Sequence, residues 1–600
     1  MTISVSIKKF KGVEYVYICE SFRDPLTRKP TSRVLASYGN KKKLLEKDPD
    51  AMEKIQKHAE QLRADSSLYS QTIQETVLSR VAAPSAADRR PDCRTCTPAP
   101  YRLLWEQLGI SNYFQNYRHN YRIGWDVDKT IFFSVVSRLI APSSKRSSWL
   151  NKERFIFDFS DLRLDRIYDS LDILADRKEA IVKKLNDGIG RLYKRDLTIA
   201  LYDVTTLYFE SFIEDGLRRR GMSKEHRTQE NQVVLGLLVD ADGIPFNYEI
   251  FPGNTAEVHT LMEVVKKFSR DYGVQNVTVV ADSGLNQYIN LEALQESNFN
   301  FIVGFPPYIK LSVSDQQKLL DCDGWHWSSN PDDPRWRIKE MPLSIERTVV
   351  DKSSGQRRPV SLKATCIATY SAKRFEHDSQ ELELKWQRAS DLVARGPAAV
   401  NAAGRSGYKA FIKPGGTKVE LNSALYDKRR KWCGYMALLT NIDLQKHKPA
   451  EIYGLLRQLW RIENNFRMLK TDLRARPVFV WTDQHIRGHF VLNYIGLVLQ
   501  RILMKKLRES GLDVSGAGLI RALESMKISR LKGLKKAQSF LYCCSNENAE
   551  SLSVRNEKGD LLSLQELCDK ILNACGIEPL KDLETAESIR RKFHSRLPMA

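Results

Sequence analysis

Two apolar runs each carry one carboxylate. Asp203 lies in Leu197-Thr198-Ile199-Ala200-Leu201-Tyr202-Asp203-Val204, and Asp282 in Val277-Thr278-Val279-Val280-Ala281-Asp282-Ser283-Gly284. A third acid, Glu463, lies far downstream in Leu459-Trp460-Arg461-Ile462-Glu463-Asn464-Asn465-Phe466-Arg467. Short apolar runs rich in β-branched residues read as central strands buried on both faces. A carboxylate on such a strand must be paired, protonated or bound to a cation, because burying it alone costs several kcal/mol. Both aspartates fall near the ends of their runs, and α/β sheets gather ligands at the carboxyl ends of their strands. Three acids meeting at one spot suit the hard, oxygen-seeking ions Mg²⁺ or Mn²⁺. Two ions held in this way can activate an attacking oxygen and stabilise a leaving one, which is phosphoryl-transfer chemistry.

The third acid needs a helix to deliver it. At 100° per residue, Ile452, Leu455, Leu456, Leu459, Ile462, Phe466, Leu469 and Leu473 form one apolar arc. Glu463 and Lys470 fall inside that arc, roughly 20° apart around the axis and about 10 Å apart along it. Two turns is too far for an intrahelical ion pair. Arg467 borders both, so the face is expected to present a metal ligand flanked by phosphate-binding cations.

The chain carries 94 Lys and Arg against 73 Asp and Glu, a formal charge of +21. That excess points to a polyanionic partner, DNA or RNA first among them. At 600 residues and 42% hydrophobic content, several domains with their own cores are expected. No apolar run is long enough to span a membrane, and the N-terminus lacks a signal-peptide pattern, so a soluble, intracellular protein without a membrane partner is expected. The nearest candidate span, Phe490 to Met504, is interrupted by Asn493, Gln500 and Arg501 and reads as a core helix. The ten cysteines show no disulfide framework. Cys93-x-x-Cys96 has no second pair at zinc-finger spacing. His485 and His489, one turn apart, lack the Glu of a zinc-protease motif and read as packed or DNA-facing.

Along the chain, residues 1–81 read as a β-hairpin (Val13 to Glu20, Ser32 to Tyr38) and a helix from Ala51 to Ala64, with Arg28, Lys29 and Lys41 to Lys43 able to touch phosphates. Residues 82–100 read as a linker and 101–194 as a helical, DNA-binding region. Basic and aromatic residues interleave there, in Tyr117 to Arg122 and in Ser143-Ser144-Lys145-Arg146-Ser147-Ser148-Trp149, a mixture suited to backbone contacts and stacking. Past the Asp203 strand come a second strand, a hairpin turn at Asp240-Ala241-Asp242-Gly243, a returning strand, a helix and the Asp282 strand. Antiparallel strands followed by a crossing helix and a parallel strand is the order of a ribonuclease H-like domain. Residues 306–440 read as a β-rich insertion whose Trp325, Trp327 and Trp336 are expected to serve packing or base stacking.

These motifs together resemble the DDE-class insertion-sequence transposases. Within that class the chain resembles the group whose signature places Tyr, Arg, Glu and Lys on one helix and whose catalytic domain is split by a β-rich insertion. The matching pieces are Leu201-Tyr202-Asp203-Val204-Thr205, Pro252-Gly253-Asn254-Thr255-Ala256-Glu257, Val280-Ala281-Asp282-Ser283-Gly284, and Trp460 through Lys470 continuing to Arg476-Pro477-Val478. The hairpin's Tyr38-Gly39 and the stretch Arg138-Leu139-Ile140-Ala141-Pro142-Ser143-Ser144-Lys145 belong to the same likeness. Glu463 and Lys470 keep the signature's six-residue spacing, whereas its Arg and Tyr would fall at Leu459 and Leu456. Tyr453, Arg457 and Arg461 stand nearby.

The resemblance implies a multidomain α/β protein. Its ribonuclease H-like catalytic domain (195–305 and 441–504) is interrupted by the β-rich insertion 306–440, preceded by the hairpin and helical N-terminal regions and followed by a helical C-terminal region (505–600) suited to dimerisation. It implies Asp203, Asp282 and Glu463 as catalytic ligands of Mg²⁺, or Mn²⁺, that cut DNA at an element's terminal inverted repeats and join the 3′-OH to target DNA. Lys470, Arg467, Arg461, Arg457, Tyr453, Lys145 and Arg146 become candidate DNA contacts, in a homodimer at the nucleoid of a prokaryotic cytoplasm. A nuclease of the same fold that does not join, or a catalytically inactive transposase-derived DNA-binding protein, are the alternatives. A structural RNA-binding protein would account for the charge but not for the buried acids.

Overall fold

A computed structural model describes residues 2–10, 13–23, 30–62, 92–210, 213–221, 230–255, 257–274, 277–327, 336–350, 357–404, 407–413, 419–530, 539–543, 554, 561–581, 583–593 and 597. The chain divides into two compact units, Met1–Pro91 and Asp92–Ala600.

The first unit is an antiparallel sheet of three strands, β1 (Thr2–Phe10), β2 (Val13–Arg23) and β3 (Pro30–Asn40), with a helix over 51–62. Alternation in Thr2-Ile3-Ser4-Val5-Ser6-Ile7 adds β1 to the expected hairpin. Ile3, Val16 and Ile18 pack with Ile55 and Ala59. Arg28 and Lys29 lie outside the described residues.

The second unit opens with β4 (Asp92–Thr95) and a layer of helices from Pro98–Gln107 to Lys178–Leu192. The expected linker therefore contains a strand and the start of a helix, and its 82–91 part lies outside the described residues. The centre of the unit is a nine-stranded sheet. Its early strands are β5 (Ile199–Tyr208), β6 (Gln232–Val239), β7 (Pro245–Pro252), β8 (Thr278–Ala281) and β9 (Asn300–Gly304). They are followed by β10 (His326–Trp327), β11 (Arg337–Val350) and β12 (Arg357–Tyr370). A two-strand pair, β13 (Ile412–Lys413) and β14 (Glu420–Leu421), stands apart, and β15 (Tyr435–Thr440) returns to the sheet. The order is β10-β11-β12-β15-β9-β8-β5-β6-β7, with β5, β8 and β9 parallel and the others antiparallel.

Residues 306–440 thus lengthen the central sheet through β10, β11, β12 and β15, with only the short β13–β14 pair apart from it, and they include a 23-residue helix, Ala372–Ala394. The C-terminal region, expected to be helical, holds strands as well as helices. β16 (Lys527–Arg530), β17 (Ser539–Cys543) and β18 (Leu583–Thr585) join β4 in a four-stranded sheet beside the helices Gly516–Ser525 and Leu564–Ala574. Strands of three to five residues whose partner lies hundreds of positions earlier leave little local periodicity to read.

Side chains alternate across the large sheet, and so do its two cores. Leu201, Leu207, Leu237, Val280 and Ile302 pack on one face with the helices around Val127–Ile140 and Asp483–Glu509. Ala200, Tyr202, Val204, Val279, Ala281 and Phe301 pack on the other with the helix Glu257–Tyr272. No helix of the described residues is long and apolar enough to cross a membrane.

The polar residues inside the helix Asp483–Glu509 act as clasps. Gln500 accepts from the Tyr101 hydroxyl. Asn465 donates to the Gly243 carbonyl at 3.1 Å and accepts from Arg501 Nε at 2.8 Å, joining three segments with one buried amide. His489 is enclosed by Arg138, Lys145, Asn493 and the Ala475 carbonyl. Burial, then the Lys145 and Arg138 charges, hold its pKa well below the ordinary value of 6.5.

Replacing Asn465 by Ala strips Arg501 of its acceptor and should cost about 2–4 kcal/mol in denaturant unfolding. The half-buried neighbour Asn464, changed to Ala, should cost under ~1 kcal/mol. His489 stays neutral in the folded chain while its unfolded form takes up a proton near pH 6.5. Its contribution to stability is therefore present above that pH and lost below it, by at most about 1.4 kcal/mol per pH unit. The His489→Gln chain should show a shallower acid limb in unfolding measured from pH 7 to 5.

Candidate active site

β5 and β8 run parallel with Leu201 opposite Val280 and Tyr202 opposite Ala281, so Asp203 and Asp282 emerge side by side, about 5 Å apart along the backbone spacing. Asp282 is still extended (φ −75°, ψ 169°) as it leaves β8. By alternation both acids share the face of Leu201, Leu207 and Val280. That is the face whose core includes Ile462 and Phe466 of the helix Trp460–Arg467, which packs on β5 and β6. Asp203 is half-buried and its Oδ1 accepts from Val204 N at 2.7 Å; Asp282 is exposed and its Oδ1 accepts from Ser283 N at 2.6 Å.

Glu463 rides on a helix that changes pitch three times. A helix over Pro449–Leu456 passes into a 3₁₀ turn at Arg457–Leu459, then the α-helix Trp460–Arg467, then a π turn at Met468–Asp472. The apolar arc is nonetheless buried from Ile452 to Leu473, with Leu455 and Leu459 half-buried. Ile462 and Phe466 are buried, but Glu463 is exposed at the margin, and Lys470 lies half-buried within the π turn. Single π turns in helices are frequent at functional sites.

Beside Asp282 lies a cavity of ≈ 460 Å³. Leu456 and Leu459, just before Glu463, line it together with Asp282, Ser283 and Gly304, and so do Arg374, Asp378, Glu381 and Lys385. Gly304 gives Asp282 its room: a Cβ there would stand 3.4 Å from Asp282 Oδ1 and 3.0 Å from Ser283 N. The fold thus brings the three acid-bearing segments to one face. In this conformation no three His, Cys, Asp or Glu side chains among the described residues are close enough together to hold a metal ion.

The candidate DNA contacts divide by exposure. Arg457, Arg467 and Arg146 are exposed, and Arg467 donates to Asn464 Oδ1 at 3.1 Å. Arg461 lays its stem over Gly243. Tyr453 is occupied by packing, its ring 5.4 Å from that of the buried Trp336 and its hydroxyl directed at Met436 Sδ. Lys145 is half-buried against His489. Trp325 packs on Tyr435, whereas Trp327 is 68% exposed. His485 faces Asp172 at 3.4 Å. Cys96 is buried, and the Cys93 side chain lies outside the described residues. Sequence reasoning does not reach Gly304 or Asn465. The first ends a strand with no motif around it, and the second is hidden by its neighbour Asn464, although a buried amide and a buried Arg501 on apolar helix faces are a signal for such a clasp.

The profile of the transposase DDE domain matches residues 194–499, half of the chain. These limits begin just before β5 and close within the long helix Asp483–Glu509, so the match spans all three acids. No match was found among curated proteins. The strand-borne aspartates, the helix-borne glutamate and the profile agree: the chain belongs to the transposase DDE-domain family, a family of DNA-cleaving enzymes.

Proposed function

We propose that this protein cleaves DNA at the ends of a mobile element and transfers the resulting 3′-OH into target DNA, with Asp203, Asp282 and Glu463 as the catalytic carboxylates. The observation that carries this reading is the parallel register of β5 and β8, which sets two acids on the face covered by the helix of the third. The order of antiparallel β5, β6 and β7, a crossing helix, and parallel β8 and β9 supports a ribonuclease H-like domain. The spacing of Glu463 and Lys470 supports the group with the Tyr-Arg-Glu-Lys signature.

The donor set fits divalent magnesium, with manganese as a second choice: it consists of carboxylate oxygens, two of them one strand apart, next to an open cavity. Bound there, such ions would lower the pKa of water and offset charge on the reacting phosphate. Asp203, held by the Val204 amide, and Asp282, held by the Ser283 amide, have their orientation set from the backbone. Arg467 and Lys470 supply positive charge toward the phosphate from the turns after Glu463. In cleavage, water oxygen attacks phosphorus and the strand's 3′ oxygen leaves with a proton. In joining, that 3′-OH attacks a target phosphodiester and displaces the target's own 3′ oxygen, so one phosphodiester replaces another and no external energy source is needed. A homodimer that pairs two element ends accords with this chemistry.

Asp203→Asn, Asp282→Asn and Glu463→Gln should each lower Mg²⁺-dependent cleavage and joining of a DNA segment bearing the element's ends by about 10³-fold or more, with DNA binding retained. Cleavage that survives all three would remove these acids from the site, and cleavage without joining in the wild type would identify a nuclease. Gly304→Val should lower cleavage through displacement of Asp282, at a cost in unfolding free energy of about 1–3 kcal/mol.

A further inference from the structure

The stretch from Arg138 to Arg154 builds a second charged site, whose lining residues are all different from those of the cavity beside Asp282. Arg138, at 6% exposure, donates to the Ser143 carbonyl at 3.0 Å; its other contacts are neutral, Asn493 Oδ1 and His489 Nε2, both at 3.4 Å. Lys145 Nζ stands 3.5 Å from His489 Nδ1. Among the described residues no carboxylate forms an ion pair with Arg138, Lys145 or Arg474. Burial and the neighbouring Arg474 bring the Arg138 pKa down to about 10, and burial with Arg138 holds Lys145 well below its usual value. A buried guanidinium such as that of Arg138 is costly without a counter-charge, and an anion would offset that cost.

A cavity of ≈ 340 Å³ lies against this cluster. The hydroxyl-bearing residues Ser137, Ser143, Ser147 and Ser148 line it with Arg154 and Arg474. Ser137, at 4% exposure, has a buried Oγ without a hydrogen-bond partner. Arg474 adopts a left-handed backbone (φ +43°), a conformation that costs a non-glycine residue energy and persists where the surroundings enforce it. The one acid in the lining, Glu524, is engaged by Arg154 at 3.4 Å. Hydroxyl donors, cations and an acid already paired are the chemistry that receives a phosphate.

We propose that this cavity holds a backbone phosphate of bound DNA, with Arg474 and the Ser143 hydroxyl as its direct ligands, the buried and unpartnered Ser137 hydroxyl turning toward it, and Arg138 and Lys145 supplying charge from behind. The proposal rests on the DNA substrate inferred above and adds a grip on the strand that takes no part in bond breaking.

The test is binding of the full chain to a duplex bearing the element's ends, followed by anisotropy across a salt series. Arg474→Gln, a change at an exposed side chain, should flatten the plot of log affinity against log salt by about one unit, as expected for one lost phosphate contact. Glu524→Gln should tighten binding. In a methylphosphonate scan of the duplex, one position should weaken the wild type several-fold yet leave Arg474→Gln unaffected. Ser137→Ala, which removes a hydroxyl without an internal partner, should reduce the penalty at that same position. An unchanged salt slope in Arg474→Gln, or a scan in which no penalty disappears in that variant, overturns the pocket while leaving the transposase reading intact. A wild type that binds and grips DNA in this way but does not cleave it counts against the transposase reading alone. Inorganic phosphate supplies a DNA-free arm. A rise in Tm for the wild type and none for Arg474→Gln supports the ligand set, whereas such a rise in a wild type that does not bind DNA overturns the assignment of the anion to a DNA backbone.

Discussion

β5 is covered on both faces, and that constraint organises the molecule. A strand whose alternate side chains enter two separate cores cannot slip by one residue without exchanging those cores, so the direction in which Asp203 faces is imposed by Leu201 and Leu207 on either side of it. The parallel ladder to β8 passes that register to Asp282. The layer opposite these acids is the helix bearing Glu463, anchored by Ile462 and Phe466 in the same core. The shared placement of three acid-bearing segments up to 260 positions apart in sequence thus depends on one ladder and one helix contact.

The helix is held by polar bonds as much as by apolar ones. Asn465 ties it to the turn at Gly243 and to Arg501 of the helix Asp483–Glu509, and Arg195 closes the same turn through Asp240 at 2.6 Å and the Ile244 carbonyl at 3.0 Å. Hydrogen bonds buried in a low-dielectric interior have strict geometric demands, so they select one placement where apolar packing alone would tolerate several.

Much of this is legible in the sequence, for physical reasons that differ by element. The runs around Asp203 and Asp282 announce buried strands because both faces need apolar residues. The interruptions at Asn493, Gln500 and Arg501 separate a core helix from a membrane span. Harder to read are features governed by distant partners: β4 with β16, and the continuation of the sheet into β11 and β12. The exposure of Glu463 escapes a periodicity argument because 3₁₀ and π turns reset the phase on either side of it. Tyr453 shows the opposite limit, since a tyrosine suited to phosphate by composition is claimed by Trp336.

The β11–β12 hairpin has mechanical meaning. Its strands pair along fourteen positions, but β15 supports only the stretch from Thr365 to Tyr370, so the outer half continues roughly 25 Å beyond the last shared strand. Glu292 braces it by accepting from Ser361 N at 2.8 Å and pairing with Arg358 at 3.1 Å. At its root, Ile367, Leu438 and Gly304 form a continuous row across three strands, and Gly304 abuts Asp282. The hairpin is therefore a lever held along its outer half by the helix Tyr288–Glu296, with Val360 and Leu362 buried, and its root lies next to Asp282: the strand that takes up a load on the hairpin through backbone hydrogen bonds also sets the clearance around that acid.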